Sequence, residues 1–223
     1  LTNRKDARKR RSDGKEPWRL LQQRKCHLGK GLSKSLPPAV YRSLRSLWEP
    51  VLVFVDMLSP LPDPLVELWA RAPNGHLLFS AGPSAYKPEA VAVGDRTLVA
   101  VATIGIQQLM NGEIEPLIAT GRLIDHLLGS YCEPGRPKLT DGSSVLGDKV
   151  SAIGLEIQEL WELGYGPEWV ENTPADYFAW GFAEFIRDRK RLNVVDPLLE
   201  KLFRHKLFSV QFWETFRGKW DRV

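Results

Sequence analysis

The chain is poor in the residues that build covalent or metal frameworks: its 223 residues hold two Cys, four His and two Met. Cys26 and Cys132 make no disulfide framework and read as reduced thiols. That places the chain in an intracellular, reducing compartment, either the cytoplasm or an organelle matrix reached through a removed targeting peptide. His27, His76, His126 and His205 fall in four separate segments, and no two are spaced as ligands, so neither a metal nor a cofactor is expected. No apolar run approaches about eighteen residues, so no membrane span is expected. No glycine-rich segment has phosphate-loop spacing; Gly29-Lys30-Gly31 is a basic turn. Ser143-Ser144 and both Cys lack a His at a useful spacing, so no alternative nucleophile stands out.

What is present is apolar mass and an uneven charge. A hydrophobic fraction of 43% with eight Trp belongs to a folded chain. Residues 1–48 hold 14 Lys and Arg against 3 Asp and Glu, a net of +11, which leaves −7 for residues 49–223. The basic character therefore belongs to the N-terminal segment. Its apolar residues are too few and too irregular to bury, so residues 1–36 read as an extended arm, with Trp18, Leu20 and Leu21 able to anchor one short piece. Arg4, Lys5, Arg8, Lys9, Arg10, Arg11, Lys15, Arg19, Arg24 and Lys25 are its candidate contacts to RNA or DNA, through sequence-indifferent counterion release. A solubilising or targeting tail is the plainer alternative.

Beyond the arm, Pro37-Pro38 opens a helix that Glu49-Pro50 ends. Val51–Val55 reads as a buried strand. Residues 66–70 and 76–80, on either side of Pro73-Asn74-Gly75, read as a hairpin. Ala90–Val93 adds a strand, and everything after Thr97 reads as helical: about 97–111, 114–130, 145–163, 174–191 and 195–206. A small antiparallel sheet followed by helices is an α+β order. The domains are then an arm over 1–36, a body over 37–206 and an aromatic tail over 207–223. The tail packs Phe208, Phe212, Trp213, Phe216 and Trp220 into a short span, the composition of a protein–protein anchor or of a lid on the domain's own core.

Two motifs within the body carry a family resemblance. A zincin helix sets His-Glu-x-x-His so that two imidazoles one turn apart grip zinc and the Glu polarises the bound water. The segment Leu117-Ile118-Ala119-Thr120-Gly121-Arg122-Leu123-Ile124-Asp125-His126 resembles that helix with Ile118, Ala119 and Arg122 in the places of the first His, the Glu and the second His. About fifty residues on, Asp176-Tyr177-Phe178-Ala179-Trp180-Gly181-Phe182-Ala183-Glu184-Phe185 is similar to the second signature of the anthrax-lethal-factor-like peptidases, which include the Pro-Pro endopeptidases. Upstream, Gly82-Pro83-Ser84-Ala85-Tyr86 is similar to that family's turn and strand before the helix. The resemblance covers roughly residues 65 to 205. It implies a zincin-like fold, with Asp176 at the third ligand position and Trp169 at the catalytic Tyr. It also implies a pseudoenzyme, since both His and the general base are replaced.

Two further expectations concern the lost site. Arg122 and Asp176 either fork onto each other, holding two helices together without an ion, or stand solvated on separate faces. His126, one turn after Arg122, is expected to be a satisfied His at a helix end rather than a ligand. The function expected is a non-catalytic binding or scaffold subunit inside a nucleoprotein assembly. The alternatives are a peptide- or protein-binding module that keeps the peptidase groove and, third, a residual metallopeptidase.

Overall fold

The computed structural model describes residues 16–167 and 173–216. The chain opens with helix α1 (Glu16–Lys25) and runs directly into strand β1 (Cys26–Leu28). Leu21, Lys25, Cys26, Leu32 and Leu36 are buried. From residue 16 onward the expected extended arm is therefore part of the fold: few apolar residues are present, but they fall on the inward side of one short helix and one edge strand. Residues 1–15 lie outside the described residues.

Three further strands complete one mixed sheet in the order β1-β2-β4-β3: β2 (His76–Ser80), β3 (Ala85–Val93) and β4 (Arg96–Gly105). β1 and β4 run parallel to β2, and β3 runs antiparallel to β4. The expected antiparallel sheet is thus antiparallel only along its β3 edge. Parallel neighbours need a crossover, and residues between β1 and β2 supply it as α2 (Leu32–Ser35), α3 (Pro38–Ser43), α4 (Glu49–Met57) and α5 (Asp63–Arg71).

Three sequence expectations fail here. Val51–Val55 is helical because Pro50 pre-sets the first turn and the buried positions Val51, Phe54, Val55 and Leu58 follow a helical stripe that extends past the apolar run. Residues 66–70 are helical for the same reason: Pro64 stands in the first turn of α5, and Leu65, Leu68, Trp69 and Ala72 face the core. Asn74-Gly75 therefore joins a helix to a strand, with Gly75 at φ 85° and its carbonyl accepting from the Trp69 indole at 2.9 Å. The actual hairpin turns at Gly94-Asp95, between Val93 and Arg96. Finally, residues 97–105 form β4, the sheet's most buried strand. Leu98, Ala100, Val101, Ala102 and Ile104 are covered on both faces, which erases the alternation that marks a half-exposed strand.

After β4 the chain is helical: α6 (Ile106–Met110), α7 (Glu115–Ser130), α8 (Asp148–Glu162), α9 (Pro174–Val195), α10 (Pro197–Leu202), a π turn (Phe203–Leu207) and α11 (Val210–Glu214). α7 is buried over most of its length, packed on the sheet and on α9. Its loop to α8 tucks underneath: buried Asp125 accepts from the Thr140 N–H at 2.9 Å and the Thr140 hydroxyl at 2.8 Å. Burial pushes the Asp125 carboxyl up to about 7, and the Thr140 hydrogen bonds oppose that rise.

Candidate functional site

The two motifs of the zincin resemblance meet where α7 crosses α9. The approach is close because Gly121 has no Cβ; one added there would sit 2.8 Å from the Ala179 Cα and 3.0 Å from its carbonyl oxygen. One residue on, Arg122 Nη2 donates to Asp176 Oδ1 at 2.7 Å, with the two side chains 42% and 21% exposed. Asp176 sits in the first turn of α9. Its other oxygen accepts from the Thr173 hydroxyl at 2.8 Å, and that hydroxyl caps the helix by accepting from the Asp176 N–H at 3.1 Å. The pair is one hydrogen bond rather than the full fork. A carboxylate in the first turn also gains from the helix dipole.

The other expected positions among the described residues lie on the same two helices. Ala119 is buried, Ile118 is half-buried against the core, and Trp180 is buried on the facing helix, its ring 6.0 Å from Tyr177. Trp169 lies outside the described residues. Along α7, His126 is held at both ring nitrogens. Nε2 lies 2.8 Å from the Glu133 carbonyl and so carries the proton, leaving Nδ1 to accept from the Tyr86 hydroxyl at 2.5 Å. Burial holds the imidazole below its ordinary value, in keeping with a neutral ring. The His is structural in geometry: it ties edge strand β3 to α7. Among the described residues, no three His, Cys, Asp or Glu side chains are gathered as a metal would need.

Beside this seam, the outer edge of β3 is the surface an extended peptide would use. It is blunted. The register skips between Lys87 and Ala90, so Pro88 and Glu89 bulge opposite Ala100, whose φ is 57°. A proline, two charges and a bulge leave only short stretches for pairing.

The basic positions divide three ways. Arg4, Lys5, Arg8, Lys9, Arg10, Arg11 and Lys15 lie outside the described residues. Arg19 is exposed but donates to both Glu16 oxygens at 2.9 Å, and Arg24 is exposed. Lys25 is not available to a partner. It is 2% exposed, and its ammonium donates to the Ala72 and Asn74 carbonyls at 2.5 and 2.8 Å, pinning α1 to the turn before β2. Burial draws its pKa down to about 8. The aromatic tail likewise turns inward: Phe208, Trp213 and Phe216 are buried, and the Trp213 indole donates to the Leu207 carbonyl at 2.6 Å. Over the described residues it closes the domain's own core, with α11 packed on α5 and the π turn. Trp220 lies outside them.

One charged region went unrecognised in the sequence. Residues 187–206 hold seven Lys or Arg and three Asp or Glu, a net of +4, after a stretch over 49–186 with seven basic and nineteen acidic residues. Here α9 breaks at Asp188 (φ −152°, ψ 80°), whose carboxylate accepts from the Arg191 N–H at 3.1 Å. The chain then turns at buried Asp196, which holds Leu199 N–H at 2.9 Å and the Tyr177 hydroxyl. That break and turn gather the basic residues of α9 and the π turn at one corner. The signal was the run Arg187-Asp188-Arg189-Lys190-Arg191, outweighed at the level of composition by the denser N-terminus. No family model matches this chain, and neither a curated protein nor a solved structure is significantly similar to it.

Proposed function

We propose that the chain is a non-catalytic, zincin-like binding or scaffold subunit of a nucleoprotein assembly, with its basic N-terminal residues as a tether to RNA or DNA. The observation that carries the pseudoenzyme part is the Arg122–Asp176 ion pair. The resemblance assigns those two positions to zinc ligands, and a guanidinium bonded to the remaining carboxylate takes up the acceptor that a cation would need. Ile118 and Ala119, where a ligand and a general base would stand, offer no lone pair to a metal and no base to a water. The polyanion part rests on charge: seven Lys or Arg against two Asp within residues 1–15.

A peptide-binding module is the second reading, favoured by the β3 edge beside α7 and limited by the bulge at Pro88. The test is native size in a lysate of the source, by gel filtration with and without nuclease, together with zinc titration of the purified chain. A large particle that shrinks on nuclease treatment and a chain that takes up no stoichiometric zinc are expected. Migration near 25.3 kDa under both conditions would remove the assembly, and one tightly held zinc per chain would remove the pseudoenzyme.

A further inference from the structure

The corner formed by residues 187–206 is built differently from an ordinary solvated basic face. A cleft of about 380 Å³ opens between the last turns of α9 and the π turn, walled by Arg189, Lys190, Asn193, Val194 and Arg204 with Glu200 at its base. Glu200 is 3% exposed and is shared by two guanidinium groups. Arg189 reaches it through Nε at 3.5 Å, and Arg204 through Nε at 3.0 Å. Arg204 is fixed by the inner nitrogen of its guanidinium, which also donates to the second Glu200 oxygen at 3.3 Å, and Arg189 approaches at ion-pair distance; the two side chains remain 45% and 57% exposed. An arginine held at Nε keeps both terminal amines, a two-pronged donor, free to point away from the carboxylate.

The acids of the corner are used internally, and three of its seven cations are not: besides the two arginines on Glu200, Arg191 pairs with buried Glu184 at 3.7 Å and Lys206 with Glu156 at 2.5 Å. Asp196 and Glu200 are buried, and Asp188 accepts from a backbone N–H. By contrast Arg187, Lys190 and Lys201 are exposed and make no ion pair among the described residues. Lys190 and Val194 stand one turn apart on the cleft wall, and Asn193 presents an amide that both donates and accepts. Two forked donors, a free ammonium and an amide around one cleft match the oxygens of a phosphate group, and the flanking cations extend the match to a chain of phosphates.

We infer that this corner is a phosphate-backbone site for nucleic acid, with Arg189 and Arg204 gripping one phosphodiester in the cleft and Arg187, Lys190 and Lys201 meeting its neighbours. The inference rests on the nucleic-acid reading above and moves part of the contact from the N-terminal residues to the folded body. A membrane of anionic lipid shares the phosphate chemistry, but the corner lacks what an interfacial site uses. Its exposed apolar residues are the short aliphatics Val194, Val195 and Leu198, and its one aromatic, Phe203, is buried. Glu200 acts as a positioning residue, since it fixes the arginines rather than meeting the ligand.

The experiment is fluorescence anisotropy of a labelled polyuridylate strand of about twenty nucleotides, titrated with the full chain across a series of salt concentrations. Two variants are compared with the wild type. One reverses the unpaired cations of the corner (R187E/K190E/K201E), which leaves both arginine–Glu200 contacts in place. The other replaces Arg4, Lys5, Arg8, Lys9, Arg10 and Arg11 by Ser. The corner variant should bind about tenfold more weakly or worse, and its plot of log affinity against log salt should be shallower by about 2, since each lost phosphate contact removes about 0.7. Unchanged affinity and slope in the corner variant overturn the inference even if the N-terminal variant loses binding, an outcome that leaves the tether reading intact. Loss in the corner variant alone supports the inference and removes the tether. As a second probe, phosphatidylserine–phosphatidylcholine vesicles are titrated in parallel. Vesicle binding that is tighter than strand binding and lost in the corner variant would reassign the corner to lipid and overturn the inference. Unfolding midpoints of both variants near that of the wild type show that the losses are not losses of fold.

Discussion

The seam between α7 and α9 and the corner at the end of α9 both join arginine to a carboxylate, yet they leave opposite surfaces. At the seam one arginine meets one aspartate, and the aspartate is 21% exposed. Acid and base cancel at the surface, and a cleft that the zincin resemblance would place there presents a neutral pair. At the corner one glutamate, its side chain 4% exposed, serves two arginines whose guanidinium groups stay largely in water. The negative charge is beneath the surface, and the positive charge is on it. What separates the two is the depth of the acid and the number of cations it serves, not the identity of the residues. A buried, over-subscribed carboxylate orients cations for a third party, whereas a surface carboxylate paired one to one uses its cation up.

The largest effect is expected from breaking the seam at its closest point. Gly121→Val puts a branched side chain against the Ala179 backbone, which cannot yield as a flexible side chain would. The variant should lose about 3 kcal/mol of stability in chemical denaturation. If the seam and the corner are separate, it should still bind anions at any temperature where it remains folded. A loss within about 0.5 kcal/mol would mean that α7 and α9 do not approach as closely as described. Next is the corner's own hinge. Glu200→Gln removes the shared charge but keeps the shape, and should cost about 1–2 kcal/mol, less than a fully buried pair because both arginines are hydrated. Stability equal to that of the wild type would show that the arginines do not depend on Glu200 for their placement.

How much of this was legible in the sequence differs between the same two regions. The seam was legible in part: the zincin resemblance offered a meeting of Arg122 and Asp176, with solvation on separate faces as the equal alternative, and the structure brings them to 2.7 Å. The satisfied ring of His126 was also legible, though its partner Tyr86 lies forty residues away and no local pattern links them. The sheet was read poorly because its residues obey two rules that mimic other structures. β4 is covered on both faces and shows no alternation, and α4 and α5 begin with prolines whose apolar runs look like strands when read without the helical stripe. The corner was illegible for a further reason. Its charges become a site only when the break at Asp188 and the turn at Asp196 bring residues 189 and 204 onto one buried glutamate, and backbone breaks of that kind leave little trace in composition.

Acid should affect neither region first. His27 Nε2 and His76 Nδ1 lie 3.1 Å apart across β1 and β2, within hydrogen-bond reach of each other. Burial, then the charge of Lys25, holds His76 down to about 4, and burial, then Arg96, lowers His27. Rings kept neutral in the fold protonate more easily in the unfolded chain. Their stabilisation is therefore complete above about pH 6.5 and is lost as the pH falls from there toward 4. Asp125, pushed up to about 7, works in the opposite sense over that range, so the wild-type profile alone mixes the two. The difference between wild type and His76→Asn isolates the pair: it should shrink by about 1–2 kcal/mol between pH 7 and pH 4, allowing for partial exposure. A difference that does not change with pH would mean that the rings are not coupled to folding.

The smallest effect is expected at the pair that carries the functional reading. Arg122 is 42% exposed, so water already solvates much of its charge, and Asp176 keeps the Thr173 hydroxyl as a second partner after Arg122 is removed. A double-mutant cycle over Arg122→Ala and Asp176→Ala should return a coupling of about 0.5–1 kcal/mol, falling in high salt. A coupling near zero would mean that the two side chains are independently solvated and that the acceptor at Asp176 is free, which reopens the position to a cation. The size of the number therefore matters less than its presence. Ion pairs at an exposed seam contribute little to stability, so on the reading proposed above the consequence of this pair is that Arg122, rather than a cation, occupies Asp176.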